Sequence, residues 1–308
     1  MLEVIRVLGM LRAQGWRPLR SIQFASWDGE EYNIIGSTEH VEDHLQSLRE
    51  NAIAYLNVDV GVSGEDFQAS GSPLLEPALT RALERVSDPL RNATLKGLWE
   101  QKGTRLQGLG AGSDYVAFQD IAGTSSIDFG FSGANFPYHS CYETFEWMEQ
   151  FGDKTWMHHK MLAQVWILLI LELTQEPLIQ LDLKAYAAAI KGYVADLETF
   201  AESKGAQGDG ENKLSFARLW DASNFFETSA KEFHMWEDWW IGQVFGRAGF
   251  ETSALSYERI GWNERLARFE TDLLDLPSGK DDKEVHGVSD NLSRPLPHTV
   301  TGTQEADS

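Results

Sequence analysis

Residues 24–33 read FASWDGEEYN, a β-prone run that ends in an acidic turn carrying Asp28, Gly29, Glu30 and Glu31. Ser21 to Trp27 alternates apolar and polar side chains (Ile22, Phe24), the pattern of a half-buried strand. Ahead of it, Leu2, Ile5, Leu8 and Leu11 recur at helical spacing until Gly15 and Pro18 stop the helix. After it, 36–50 reads as a polar helix and Ala54 to Val58 as a buried strand ending at Asp59. Helices are also expected over Pro77 to Val86 and after Ser113, which is placed to cap with Asp114 in the first turn. Thr124 to Phe129 reads as a third strand, followed by a Gly-, Asn- and Pro-containing loop to His139. Strands alternating with helices predict an α/β fold with a mixed, mostly parallel sheet. Ligand sites in such folds form at the carboxyl ends of the strands.

From Asp153 onward the pattern becomes helical: 153–175, 182–203, 214–234 and 263–274 all carry the 3.6-residue period. Trp220, Phe225, Phe226, Phe233, Trp236, Trp239 and Trp240 fall within 21 residues of this helical half. Such a cluster serves either as buried core or as an oligomer interface. Beyond Pro277 aromatic residues cease and apolar ones thin out, the composition of a disordered tail.

Composition narrows the function. With 47 acidic against 26 basic residues in 308, the net charge is −21. That charge argues against a nucleic-acid partner, whose phosphates need clustered Lys and Arg. One cysteine, Cys141, cannot make an internal disulfide. The longest apolar run, Val165 to Leu171, falls far short of the ~20 residues a bilayer requires.

Three places carry candidate chemistry. Neighbouring residues of an extended chain point in opposite directions, so Glu30 and Glu31 can take different roles, one on a metal and one as a base over it. Asp59 stands at a strand end, and His139 in a loop within PYHSCYE, residues 137–143. Two carboxylates and an imidazole suit zinc.

Four motifs bring a resemblance: RPLRSIQFASWDGEEYNIIGSTEH (17–40), AYLNVD (54–59), GLGAGSDYVAF (108–118) and PYHSCYETFEWMEQF (137–151). Together they resemble the binuclear zinc exopeptidases of the glutamate carboxypeptidase type, a family with the transferrin receptor as a non-peptidase relative. The resemblance implies Glu30 as general base, Glu31 and His139 on one zinc, Asp59 on the other, and Tyr138 as donor to the oxyanion. It places Ser113 and Asp114 in the substrate-pocket loop. It also implies a peptide substrate and a homodimer built by the helical half, and relatives are often anchored in a membrane. The expected division is 1–176 peptidase-like, 177–276 dimerisation and 277–308 tail.

The resemblance departs from the family at both ends. The family's two further ligands, a histidine and a bridging aspartate, precede the Glu-Glu pair, whereas residues 1–27 contain no His and no Asp. The chain is therefore expected to be truncated and impaired, with a non-catalytic, receptor-like homodimer as the alternative. Acid-selective relatives carry pocket arginines, but residues 106–153 contain seven acidic residues and no Lys or Arg.

Overall fold

The computed structural model describes residues 1–103, 105–133, 135–206 and 214–274. The tail expected beyond Pro277 lies outside the described residues. The chain opens with α1 (Leu2–Ala13), α2 (Ile35–Asp43) and α3 (Leu45–Asn51), then β1 (Tyr55–Asn57), β2 (Asp66–Gly71) and α4 (Glu76–Arg85). A short hairpin of β3 (Ser87–Asp88) and β4 (Ala93–Thr94) leads into α5 (Leu95–Gln101). A π-helical turn (Ala117–Ala122), β5 (Ser126–Ser132), α6 (Phe145–Gln150) and α7 (Met157–Gln175) follow. The last third is helical: α8 (Leu183–Ser203), α9 (Ala217–Phe245), α10 (Ser253–Ala267) and α11 (Phe269–Leu273).

The main sheet is mixed, in the order β1-β5-β2. β1 runs parallel to β5 with Asn57 opposite Asp128, and β2 runs antiparallel to β5 with Phe67 opposite Phe131. The strand expected over residues 21–27 does not form: the segment carries neither helix nor strand and joins no ladder among the described residues. Their apolar side chains, Ile22 and Phe24, instead pack with Val4, Leu8 and Ile170 between α1 and α7. Side-chain alternation registers a buried face, and backbone pairing is a separate matter. The single helix expected over 36–50 is two, because the chain bends at His44 (φ −115°).

One core joins strands to helices. The amphipathic α4 buries Ala78, Leu79, Ala82 and Leu83 completely, as four apolar residues on one helical face should. They meet Phe67, Ile127, Phe129 and Phe131 of the sheet and Met161, Val165 and Leu169 of α7. Phe233 of α9 and Leu266 of α10 belong to the same cluster. The aromatic crowd divides: Phe233 and Trp240 are buried, while Phe225 and Trp239 are exposed.

The start of α7 is fixed by one buried carboxylate. Asp153 accepts from the backbone N–H of Met157 (3.0 Å) and of His159 (3.0 Å), and from the rings of His158 (3.2 Å) and His159 (2.9 Å). Burial alone would raise its pKa, but the hydrogen bonds from His159 and His158 outweigh that and lower it. At its other end, α7 is capped by Arg20, whose guanidinium donates to the carbonyls of Leu173, Glu176 and Pro177. No helix among the described residues is long and apolar enough to cross a membrane.

Candidate active site

The acidic turn is held by its backbone. Gly29 (φ 68°), Asn33 (φ 72°) and Ile34 (φ 50°) all adopt the left-handed conformation around a 3₁₀ turn over Glu30–Tyr32. The chain then folds back, so that Gly36 N donates to Asp28 O at 3.1 Å. A Cβ on Gly36 would lie 2.3 Å from that same oxygen, so glycine is required there. Glu30 and Glu31 thus stand in a 3₁₀ turn and not in the extended chain expected for them, so the alternation of a strand does not set their directions.

The second contributor comes from far along the chain. His139 (φ 54°) occupies the left-handed region, and its N–H donates to Glu143 Oε2 at 2.9 Å. The Tyr138 ring stacks on the His139 ring at 3.8 Å between centroids. His139 Nε2 donates to Glu31 Oε1 at 2.7 Å, which joins the two loops. The pair is largely exposed, so the contact itself contributes little stability.

Asp59 lies just past the end of β1 and acts on the same space through its charge. Glu30 has its pKa raised, first by desolvation and then by Asp59, Asp114 and Glu31, with His139 opposing. Desolvation, then Glu31, Asp59 and Glu30, raise the Tyr138 phenol as well. A carboxylate with a raised pKa is a better proton acceptor, and a neutral phenol remains a donor.

Ser113 was expected to cap the following helix, but its buried hydroxyl instead accepts from Asn57 Nδ2 at 3.0 Å. The π-helical turn starts later and has no side-chain cap. Asp114 Oδ1 accepts from Ser37 Oγ at 2.6 Å, which fastens the loop carrying Ser113 and Asp114 to α2. Sequence reasoning passed over Asn57 and Asp128. Asn57 Nδ2 donates also to Asp128 Oδ1 at 2.8 Å, so one buried amide ties β1, β5 and the Ser113 loop together. Asn57 was legible in principle: it stands two residues before Asp59, on the same side of an extended chain.

Burial, partly offset by Asn57 and reinforced by Asp59, pushes the Asp128 carboxyl up to about 6. An unfolded aspartate titrates near ~3.9, so the folded form alone holds the proton between roughly pH 4 and 6. Stability from that proton is present below ~pH 4 and is lost as pH rises through about 6. In metal-free protein, Asp128→Asn is expected to stabilise the fold by roughly 1–3 kcal/mol at pH 7.5 and by almost nothing at pH 4. Urea denaturation at the two pH values checks this; an equal effect at both would show that charge is not the cause.

Catalytic zinc sites usually hold three protein ligands. Among the described residues no three His, Cys, Asp or Glu side chains converge as a metal cluster. Glu31 and His139 bond to each other, and Asp59 bonds to neither. The described residues thus do not fit a complete zinc site.

Residues 1–163 match the profile of Peptidase family M28, and residues 214–286 match the transferrin receptor-like dimerisation domain. A probable glutamate carboxypeptidase of Arabidopsis thaliana is 40% identical over 205 residues, covering 64% of this chain and 30% of its own length. Aminopeptidase NAALADL1 of Mus musculus is 33% identical over 255 residues (75% and 33%). An inactive zinc metalloprotease of Schizosaccharomyces pombe is 30% identical over 276 residues (86% and 32%). The chain spans about a third of the length of these relatives.

Proposed function

The chain belongs to peptidase family M28, and from that premise we propose that the cleft between Glu30 and His139 hydrolyses a terminal peptide bond. One observation carries the reading: the Glu30–Glu31 turn and the Tyr138–His139 loop meet at 2.7 Å across 108 residues of chain. Glu30, beside that contact, has the raised pKa of a usable base. Glu30 takes a proton from the attacking water and returns it to the leaving amine. The exposed Tyr138 hydroxyl donates to the tetrahedral oxygen. Family membership implies zinc, with Glu31 and His139 as ligands at one position and Asp59 at another. In this reading residues 1–176 form the peptidase-like part, and 177–276 the part through which two copies pair.

The expected result is slow hydrolysis of unblocked short peptides by the zinc-equilibrated chain, reduced at least ~100-fold in Glu30→Gln. The Gln amide cannot accept the proton, and an unchanged melting temperature would show that the fold is intact. Equal turnover in the variant would overturn the assigned base.

A second reading, a non-catalytic homodimerising protein, draws on the exposed apolar side chains of Phe225, Trp239, Phe245 and Tyr257 on the late helices. It gives no hydrolysis with any peptide, no zinc retained after dialysis by elemental analysis, and a dimer by sedimentation.

A further inference from the structure

Asp128 is set into β5 directly opposite Asn57, two residues before Asp59. One of its carboxylate oxygens is held by the Asn57 amide at 2.8 Å, and the same amide holds Ser113 at 3.0 Å. Asn57 and Ser113 are both buried, so this platform is rigid. Ser113 uses its oxygen as an acceptor, while the proton of its hydroxyl has no acceptor among the described residues. The platform therefore carries an unspent donor beside a carboxylate.

Among the described residues no lysine or arginine contributes to the environment of Asp128, Asp114 or Glu30. The stretch from 106 to 153 contains no basic residue at all. A half-buried carboxylate is costly unless it meets a countercharge, and among the described residues no basic side chain supplies one. An incoming group that brings both a carbonyl and an ammonium would satisfy Ser113 and Asp128 together.

We propose that Asp128 determines substrate preference by receiving an ammonium group, from either the free α-amino terminus or a lysine-type side chain of the peptide. This rests on the Glu30–His139 cleft being the substrate site. It excludes acidic side chains from the position nearest Asp128, since like charges at close range repel.

The test is calorimetric titration of the full, zinc-equilibrated chain with three probes: alaninamide, Nα-acetyl-lysinamide and N-acetyl-glutamate. At least one ammonium probe is expected to bind about tenfold or more tighter than N-acetyl-glutamate. The tighter of the two identifies the source of the ammonium. Asp128→Asn is expected to erase the preference, while Asp196→Asn on the exposed side of α8 retains it. A melting curve for Asp128→Asn at or above that of the unmodified chain shows that folding is intact. Equal or tighter binding of N-acetyl-glutamate, an unchanged ratio in Asp128→Asn, or binding of no probe would overturn the proposal. Glu30-dependent hydrolysis with a preference for acidic peptides defeats this inference alone. Asp128-dependent ammonium binding without hydrolysis defeats the catalytic reading alone.

Discussion

Gly123→Ala is expected to destabilise the fold by at least about 3 kcal/mol, whereas Gly103→Ala costs about 1 kcal/mol. Both glycines adopt the left-handed region, at φ 72° and φ 67°, so the conformational penalty of a Cβ is common to the two. Their surroundings differ. A Cβ on Gly103 meets nothing within 4 Å, but one on Gly123 would lie 2.4 Å from Thr271 Cα and 2.7 Å from Thr271 N. Those are backbone atoms and cannot rotate away. Thr271 is also anchored there, its hydroxyl donating to the carbonyls of Ala122 (3.1 Å) and Gly123 (3.2 Å). Relief requires α11 to leave the turn that precedes β5. Urea denaturation of both variants checks the prediction, and equal losses would refute the close approach of α11.

Phe131→Ala is expected to cost roughly 3–5 kcal/mol, the range for deleting a buried aromatic ring. Phe131 is 1% exposed. Its ring stands edge-to-face with Phe67 across the β2–β5 pair at 5.5 Å and with His158 of α7 at 5.2 Å. His158 is itself held by Asp153, so the surroundings cannot easily collapse into the cavity. Leu90→Ala, with its side chain 73% exposed, should change stability by less than ~0.5 kcal/mol. Chemical denaturation of the two variants decides; similar losses would contradict the buried placement of Phe131.

What the sequence made legible follows from the range of the signals. The periodicity of α1, α4, α7 and α8 lies within each segment, and those helices are where it predicts them. The period over 214–234 fell short of α9, which continues to Phe245 because apolar side chains such as Trp240 and Val244 keep meeting partners. β2 escaped notice: DFQASG mixes polar and small side chains, and only pairing along β5 makes it a strand. The same division holds in the cleft. Glu30 with Glu31, and Tyr138 with His139, are neighbours in sequence, so each pair was conspicuous. Asn57 and Asp128 are 71 residues apart, and only the register of two parallel strands makes them partners. Short-range patterns show in a sequence; long-range juxtaposition needs the fold.

Phe233 and Leu266 lie in the same apolar interior as Phe131 and Leu79. The late helices therefore cannot be grafted onto another scaffold as an autonomous cassette. Excising them would open the floor on which the sheet stands, and the loss would be felt at β5, the strand that carries Asp128.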